Sequence, residues 1–139
     1  MMWLVDTNVL SELRKKGRGN PHVFAWFAGT SPENLFLSVL VIGEIRCGVE
    51  RIRLRDPRAA RALEQWLGRV VANFAERILP IEARVAEEWG RLSVARPLPT
   101  VDGLLAATAK VHGLTLVTRN VKDVRRTGVA FKNPFVPSD

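Results

Sequence analysis

The chain is poor in the side chains that carry most enzyme chemistry. It has one cysteine, Cys47, which excludes an internal disulfide framework and any all-cysteine zinc site. That usage fits a reducing, cytoplasmic compartment. Cys47 has no histidine near it in sequence and reads as a small core residue rather than a nucleophile. There are only two histidines, His22 and His112. His112 falls at the carboxyl end of a predicted helix, where the helix dipole is reason enough for it. No apolar run approaches the ~20 residues of a membrane span. The opening Met-Met-Trp-Leu-Val-Asp has no basic segment before its apolar stretch, which argues against a secretory signal. There is no GxGxxG, no GxxxxGK phosphate loop and no GxSxG elbow. Repeats, low-complexity tracts and Gly/Ser linkers are absent as well.

Acidic residues are in the minority, 14 against 21 Lys and Arg, leaving a net charge of +7. A pI near 10.7 predicts attraction to polyanions: nucleic acid, an acidic protein or anionic lipid. The 139 residues, 47% hydrophobic and 25% charged, suit one globular domain spanning 1–139. Folding a chain of this size removes roughly two-thirds of its surface from water.

Strand-like and helix-like segments alternate along the chain. Trp3-Leu4-Val5, Leu35-Phe36-Leu37, Ile78-Leu79 and Leu114 to Val117 read as strands, with Val129-Ala130-Phe131 as a last edge strand. Helices are predicted over Thr7 to Arg14, His22 to Ala28, from Ser38 to about Leu54, from Asp56-Pro57 onward, around Val85, Trp89 and Leu92, and over Thr100 to His112. Lys15 to Gly19 reads as an exposed loop. In the helix after Pro57, Leu63, Trp66, Leu67, Val70, Val71 and Phe74 share one face. This order predicts an α/β fold: a central, mostly parallel sheet with helices on both faces. Ligands of such sheets bind beyond the carboxyl ends of the strands.

Four carboxylates occupy such positions. Asp6 follows the first strand, and its ordinary reading is a helix cap. Glu44 has Leu40, Val41, Cys47 and Gly48 at helical neighbour offsets instead of a basic partner. It is expected on an apolar face, paired with a distant arginine or a metal ion. Asp102 opens an almost uncharged helix, where a charge–dipole contact alone would account for it. Asp123 lies three residues after Asn120, a spacing that resembles a capping box. In a parallel sheet all four converge on one edge. There they repel one another unless cations intervene, and oxygen-only donors suit Mg²⁺ or Mn²⁺.

The same residues lie in four ordered motifs. Asp6-Thr7-Asn8-Val9-Leu10-Ser11-Glu12-Leu13 resembles the opening motif of the PIN-domain nucleases. Ser38 to Ile45, with Gly48 behind it, resembles their second motif. Leu98 to Ala109 and Leu116 to Asp123 resemble the third and fourth, and Thr127-Gly128-Val129 with Asn133-Pro134-Phe135 resembles the family's end. The resemblance covers essentially the whole chain and points to the VapC toxins of type II toxin–antitoxin systems, in their FitB-like branch. It implies a PIN-like domain acting as a Mg²⁺-dependent endoribonuclease, with Mn²⁺ as a substitute. Asp6, Glu44, Asp102 and Asp123 match the catalytic, metal-holding quartet. Thr7, Asn8, Thr118 and Asn120 match positions that orient those carboxylates. The expected chemistry is in-line attack of metal-activated water on an RNA phosphodiester. Also implied are a cognate VapB-type antitoxin and a homodimer that assembles further with it.

Arg119, Lys122, Arg14 and Lys15, with Lys16, Arg125 and Arg126, flank the acidic motifs and are the candidates for holding the RNA backbone. Val39, Leu40 and Ile42, with Phe24, Trp26 and Phe27, could line a groove for a partner helix, although core is the commoner fate of such residues. Other readings are a non-catalytic PIN-like module that binds RNA or protein, a receiver-type phospho-acceptor and a DNA nuclease. The receiver reading lacks an acidic pair after the first strand and a lysine after the last full one. Nothing in the sequence must read a 2′-hydroxyl.

Overall fold

Trp3–Val5 forms β1, and it takes the centre of a five-stranded sheet. The computed structural model describes residues 1–95 and 97–137, without the side chains of Lys16 and Ala95. β2 (Leu35–Ser38) and β4 (Thr115–Val117) flank β1, while β3 (Ile78–Leu79) and β5 (Phe131–Lys132) are the edges, in the order β3-β2-β1-β4-β5. Every pairing is parallel, with Leu4 opposite Phe36 and Leu116, and Val5 opposite Val117. Leu4, Val5, Leu37, Leu116 and Val117 are buried, as parallel strands covered on both faces require.

Among the described residues seven α-helices flank the sheet: α1 (Thr7–Leu10), α2 (Pro21–Ala28), α3 (Val39–Arg53), α4 (Pro57–Phe74), α5 (Ala83–Ala95), α6 (Thr100–His112) and α7 (Val121–Arg125). Local chemistry sets their ends. The Asn20 side chain accepts from the His22 and Val23 N–H groups, with Pro21 in the first turn. Ser38 accepts from Leu40 N–H and Asp56 from Ala59 N–H. Gly113, at φ +67°, supplies the left-handed residue that stops α6. Strand order runs outward from β1 to β3, then returns to β4 beside β1. Right-handed crossovers of opposite direction put α3 and α4 on one face and α5 and α6 on the other. The gap between β1 and β4 is therefore the switch point, where open α/β sheets bind their ligands.

Four expectations are corrected. The helix predicted over Thr7 to Arg14 is α-helical only to Leu10, and Ser11–Arg18 winds as a 3₁₀ helix through the expected loop. That tighter winding accompanies an inward-turned Glu12, which is buried. The last strand is Phe131–Lys132, not Val129 to Phe131, because Gly128 turns at φ +75° and Val129 packs inward to finish that turn. Val71 is 40% exposed; it lies a quarter-turn round α4 from buried Val70, on a groove with Val39, Ile42 and Gly68. Cys47 is exposed on α3, not in the core. Trp26 and Phe27 are partly buried against the core, as are Leu40 and Ile42.

Candidate functional site

Asp6 is placed by β1. Its N–H donates to the Val117 carbonyl at 2.9 Å, which carries the β1–β4 pairing one residue past β1. The carboxylate caps α1: Oδ1 accepts from Thr7 N–H at 2.7 Å. Oδ2 accepts from the Thr118 hydroxyl at 2.7 Å and from Asn8 Nδ2 at 3.3 Å. Asp6 is 6% exposed. Burial pushes its carboxyl above the usual range. The Thr118 and Thr7 hydrogen bonds pull it down, Glu44's charge pushes it up again, and Asn8 pulls it down. Thr118 itself is buried. Its hydroxyl also accepts from Asn120 N–H at 3.0 Å, and its own N–H donates to the Lys132 carbonyl. Asn8 Oδ1 accepts from Arg119 N–H at 3.2 Å, which sets the amide so that its Nδ2 faces Asp6.

Glu44 is the sixth residue of α3, and it is exposed. Its expected buried, apolar setting is corrected. Gly43 and Cys47 beside it are exposed too, so this face of α3 meets water. Its partner is a hydroxyl and not an arginine: Thr7 Oγ1 donates to Glu44 Oε1 at 2.6 Å. Asp102 is half-buried in the first turn of α6. Burial raises its carboxyl most, the charges of Asp6 and Asp123 raise it further, and a hydrogen bond with the Asn120 side chain lowers it. The expected Asn120–Asp123 capping box is absent: Asn120 makes no side-chain cap to α7, and its own N–H goes to the Thr118 hydroxyl. Asp123 lies in the first turn of α7, half-buried.

The four carboxylates thus form a chain of electrostatic neighbours, Glu44 to Asp6 to Asp102 to Asp123. They lie at the carboxyl ends of the strands, beside the switch point. Among the described residues no three His, Cys, Asp or Glu side chains stand close enough to hold a metal ion by themselves. A loose, oxygen-only set of mutually repelling carboxylates fits a hard divalent ion that keeps several waters and shares substrate oxygens. It does not fit a closed protein cage.

The basic candidates differ in their surroundings. Lys15 is ion-paired with Glu12. Arg14 and Lys122 are exposed. The Arg125 guanidinium lies 5.8 Å from the centre of the Phe131 ring. Arg119 lies over Phe135 at 4.6 Å. The Lys16 side chain falls outside the described residues. Sequence reasoning passed over Glu12, a charged residue 6% exposed. Its setting between Leu10 and Leu13 was the available signal, since a carboxylate amid core residues needs partners.

Comparison with known proteins identifies the family and the fold. The model of the PIN domain family matches residues 3–129. The chain is 33% identical over 140 residues to toxin FitB of Neisseria gonorrhoeae, covering 96% of this chain and 99% of that protein. It is 30% identical over 144 residues to VapC ribonuclease Y4jK of Sinorhizobium fredii, covering 99% and 100%. The structure of FitAcB from Neisseria gonorrhoeae superposes with a TM-score of 0.87 at 33% identity, over 96% of this chain and 99% of that one. FitAB bound to an IR36 DNA fragment gives 0.89 at 30% identity, over 99% of each chain. The chain belongs to the PIN domain family, among the relatives of the FitB and VapC toxins.

Proposed function

We propose that this protein is the toxin of a toxin–antitoxin pair and a divalent-metal-dependent endoribonuclease, built as one unit over residues 1–139. The observation that carries the reading is the gathering of Asp6, Glu44, Asp102 and Asp123 beside the β1–β4 switch point in a chain of net charge +7. Such a cluster works against stability unless a cation is to be held there. Relatives named as a toxin and as a VapC ribonuclease support the same reading.

In this reading Asp6 and Asp102 hold the ion directly, with Asp123 and Glu44 completing its surroundings; the ion is Mg²⁺, with Mn²⁺ able to replace it. A bound divalent ion would lower the pKa of a coordinated water and offset the negative charge that develops on the phosphate oxygens. The protein's own part is orientation. The Thr118 hydroxyl and Asn8 fix the Asp6 carboxylate, Asn120 steadies Asp102, and Thr7 steadies Glu44. Arg119, Lys122 and Arg14 supply positive charge around the acidic centre, without which it repels a polyanion. A VapB-type antitoxin inhibits the protein, which pairs as a homodimer and assembles further with it in the cytoplasm. The solved toxin–antitoxin complex from Klebsiella pneumoniae, 26% identical with a TM-score of 0.73, supports such a partner. No helix among the described residues is long and apolar enough to cross a membrane.

The test is cleavage of a mixed RNA pool by antitoxin-free protein in Mg²⁺, in Mn²⁺ and in EDTA, beside folded Asp6→Asn and Asp102→Asn variants. Metal-dependent cutting that disappears in both variants is expected. Cutting that survives EDTA and both substitutions overturns the reading. A folded wild type that binds RNA and leaves it intact makes the protein a non-catalytic binding module.

A further inference from the structure

A second constellation, separate from the four carboxylates, converges on their rim. Arg119 directly follows Thr118, and its N–H donates to Asn8, the residue whose amide faces Asp6. Its exposed guanidinium lies 4.6 Å from the centre of the Phe135 ring. Phe135 is fixed by its backbone. Its N–H donates to Asn133 Oδ1 at 3.0 Å, and its carbonyl accepts from Asn20 Nδ2 at 3.4 Å. The Asn20 N–H in turn donates to buried Glu12 at 3.0 Å. Glu12 is held below the usual carboxylate range by its bond to Lys15, with Asn20 and the charges of Lys15 and Arg119 adding to that against burial. Lys15 therefore answers the buried charge directly, and Arg119 is attracted without being bonded. Among the described residues Arg119 forms no ion pair. A guanidinium stacked on an aromatic face keeps its in-plane N–H donors open.

We propose that Phe135 is a positioning residue. It holds Arg119 so that the guanidinium fork takes a backbone phosphate of the RNA beside the acidic centre, and Asn20 and Glu12 brace the segment that carries the ring. The proposal rests on the ribonuclease reading and names the part of the chain that admits the polyanion. An arginine free to wander loses rotamer entropy when it grips a phosphate, whereas one already ordered over a ring loses less. Among the basic residues named around the site, Arg119 is the one whose backbone is tied to Asp6's own hydrogen-bond partner and whose head is stacked.

The experiment compares wild type with Phe135→Leu, Phe135→Trp, Arg119→Ala and the Phe135→Leu/Arg119→Ala double variant. Steady-state RNA cleavage is measured in Mg²⁺, with thermal melts for each protein. In parallel, fluorescence anisotropy follows a labelled single-stranded RNA binding to Asp102→Asn protein carrying the same changes. Arg119→Ala should raise KM and Kd by ~10-fold, the scale of a lost charge-assisted hydrogen bond, and Phe135→Leu by ~3-fold, the scale of rotamer freedom returned to one side chain, with kcat held within about twofold. The double variant should go no further than Arg119→Ala alone, and Phe135→Trp should behave as wild type. Arg119→Ala should also flatten the dependence of log K on log salt by ~0.7. An unchanged KM in Phe135→Leu, or additive losses in the double variant, overturns the proposal while the ribonuclease reading stands. A wild type that neither binds nor cuts RNA overturns both.

Discussion

The Asp6 carboxylate receives three hydrogen bonds and is still held above the ordinary carboxylate range, because burial outweighs them. Asp102 is raised for a related reason, with two neighbouring carboxylates added to burial. A carboxyl raised in the folded state contributes stability that is fully present below its unfolded pKa and is lost as pH rises through the folded one. In EDTA, Asp102→Asn and wild type should therefore melt together near pH 4. The variant should gain on wild type as pH climbs to neutrality, with thermal melts as the check. The same substitution should lower RNA cleavage by ~100-fold or more, since several kcal/mol of charge stabilisation is at stake. Thr118→Val removes the hydroxyl that Asp6 and Asn120 share. It should reduce metal affinity by ~10- to 100-fold, measured by calorimetric titration, and Thr118→Ser should restore it. Asp6 could be read from its place after an apolar tripeptide. The Asn120 bond to Asp102 could not, because a capping spacing hid it. Glu44 was placed by its motif, but its exposure was not legible: apolar residues at helical offsets do not reveal that this turn of α3 faces water.

At the scale of elements, α5 and α6 meet closely at Gly103. A Cβ there would stand 3.0 Å from Trp89 Cδ1 and 3.1 Å from Nε1. Gly103→Ala gains up to ~1 kcal/mol in helix propensity, but crowding in a packed interface costs ~1–3 kcal/mol. A net loss of up to about 2 kcal/mol in a denaturant melt is expected. Activity should fall further than stability, because Asp102 is the preceding residue of the displaced turn. Exchanging Trp89 for leucine in that variant should recover both. On the sheet, Leu37→Ala should cost ~2–5 kcal/mol, since Leu37 is fully buried in β2. Strand positions and helix starts were legible because short apolar runs and the Asn20-Pro21 and Asp56-Pro57 caps are short-range signals. The Ser11–Arg18 winding was not, since it accompanies a bond between Glu12 and the Asn20 backbone, eight residues on. Nor was the start of β5, which the Gly128 turn delays.

At the scale of the molecule, a net charge of +7 surrounds a centre made of negative charge. Under the proposed ribonuclease reading, the basic excess draws RNA in and the carboxylates act on it once it is bound. Raising salt should weaken RNA binding to cleavage-dead Asp102→Asn protein along a straight line of log K against log salt, at ~0.7 per phosphate neutralised. The pairing of β1 with β4 has a consequence for biosynthesis. Asp6 acquires its Thr118 hydrogen bond across 112 residues of sequence, and its main-chain bond comes from Val117. A nascent chain leaves the ribosome amino end first, so Asp6 has only its local bonds to Thr7 and Asn8 until nearly all of the chain has followed. A polypeptide interrupted anywhere before β4 carries the opening motif with no assembled centre behind it.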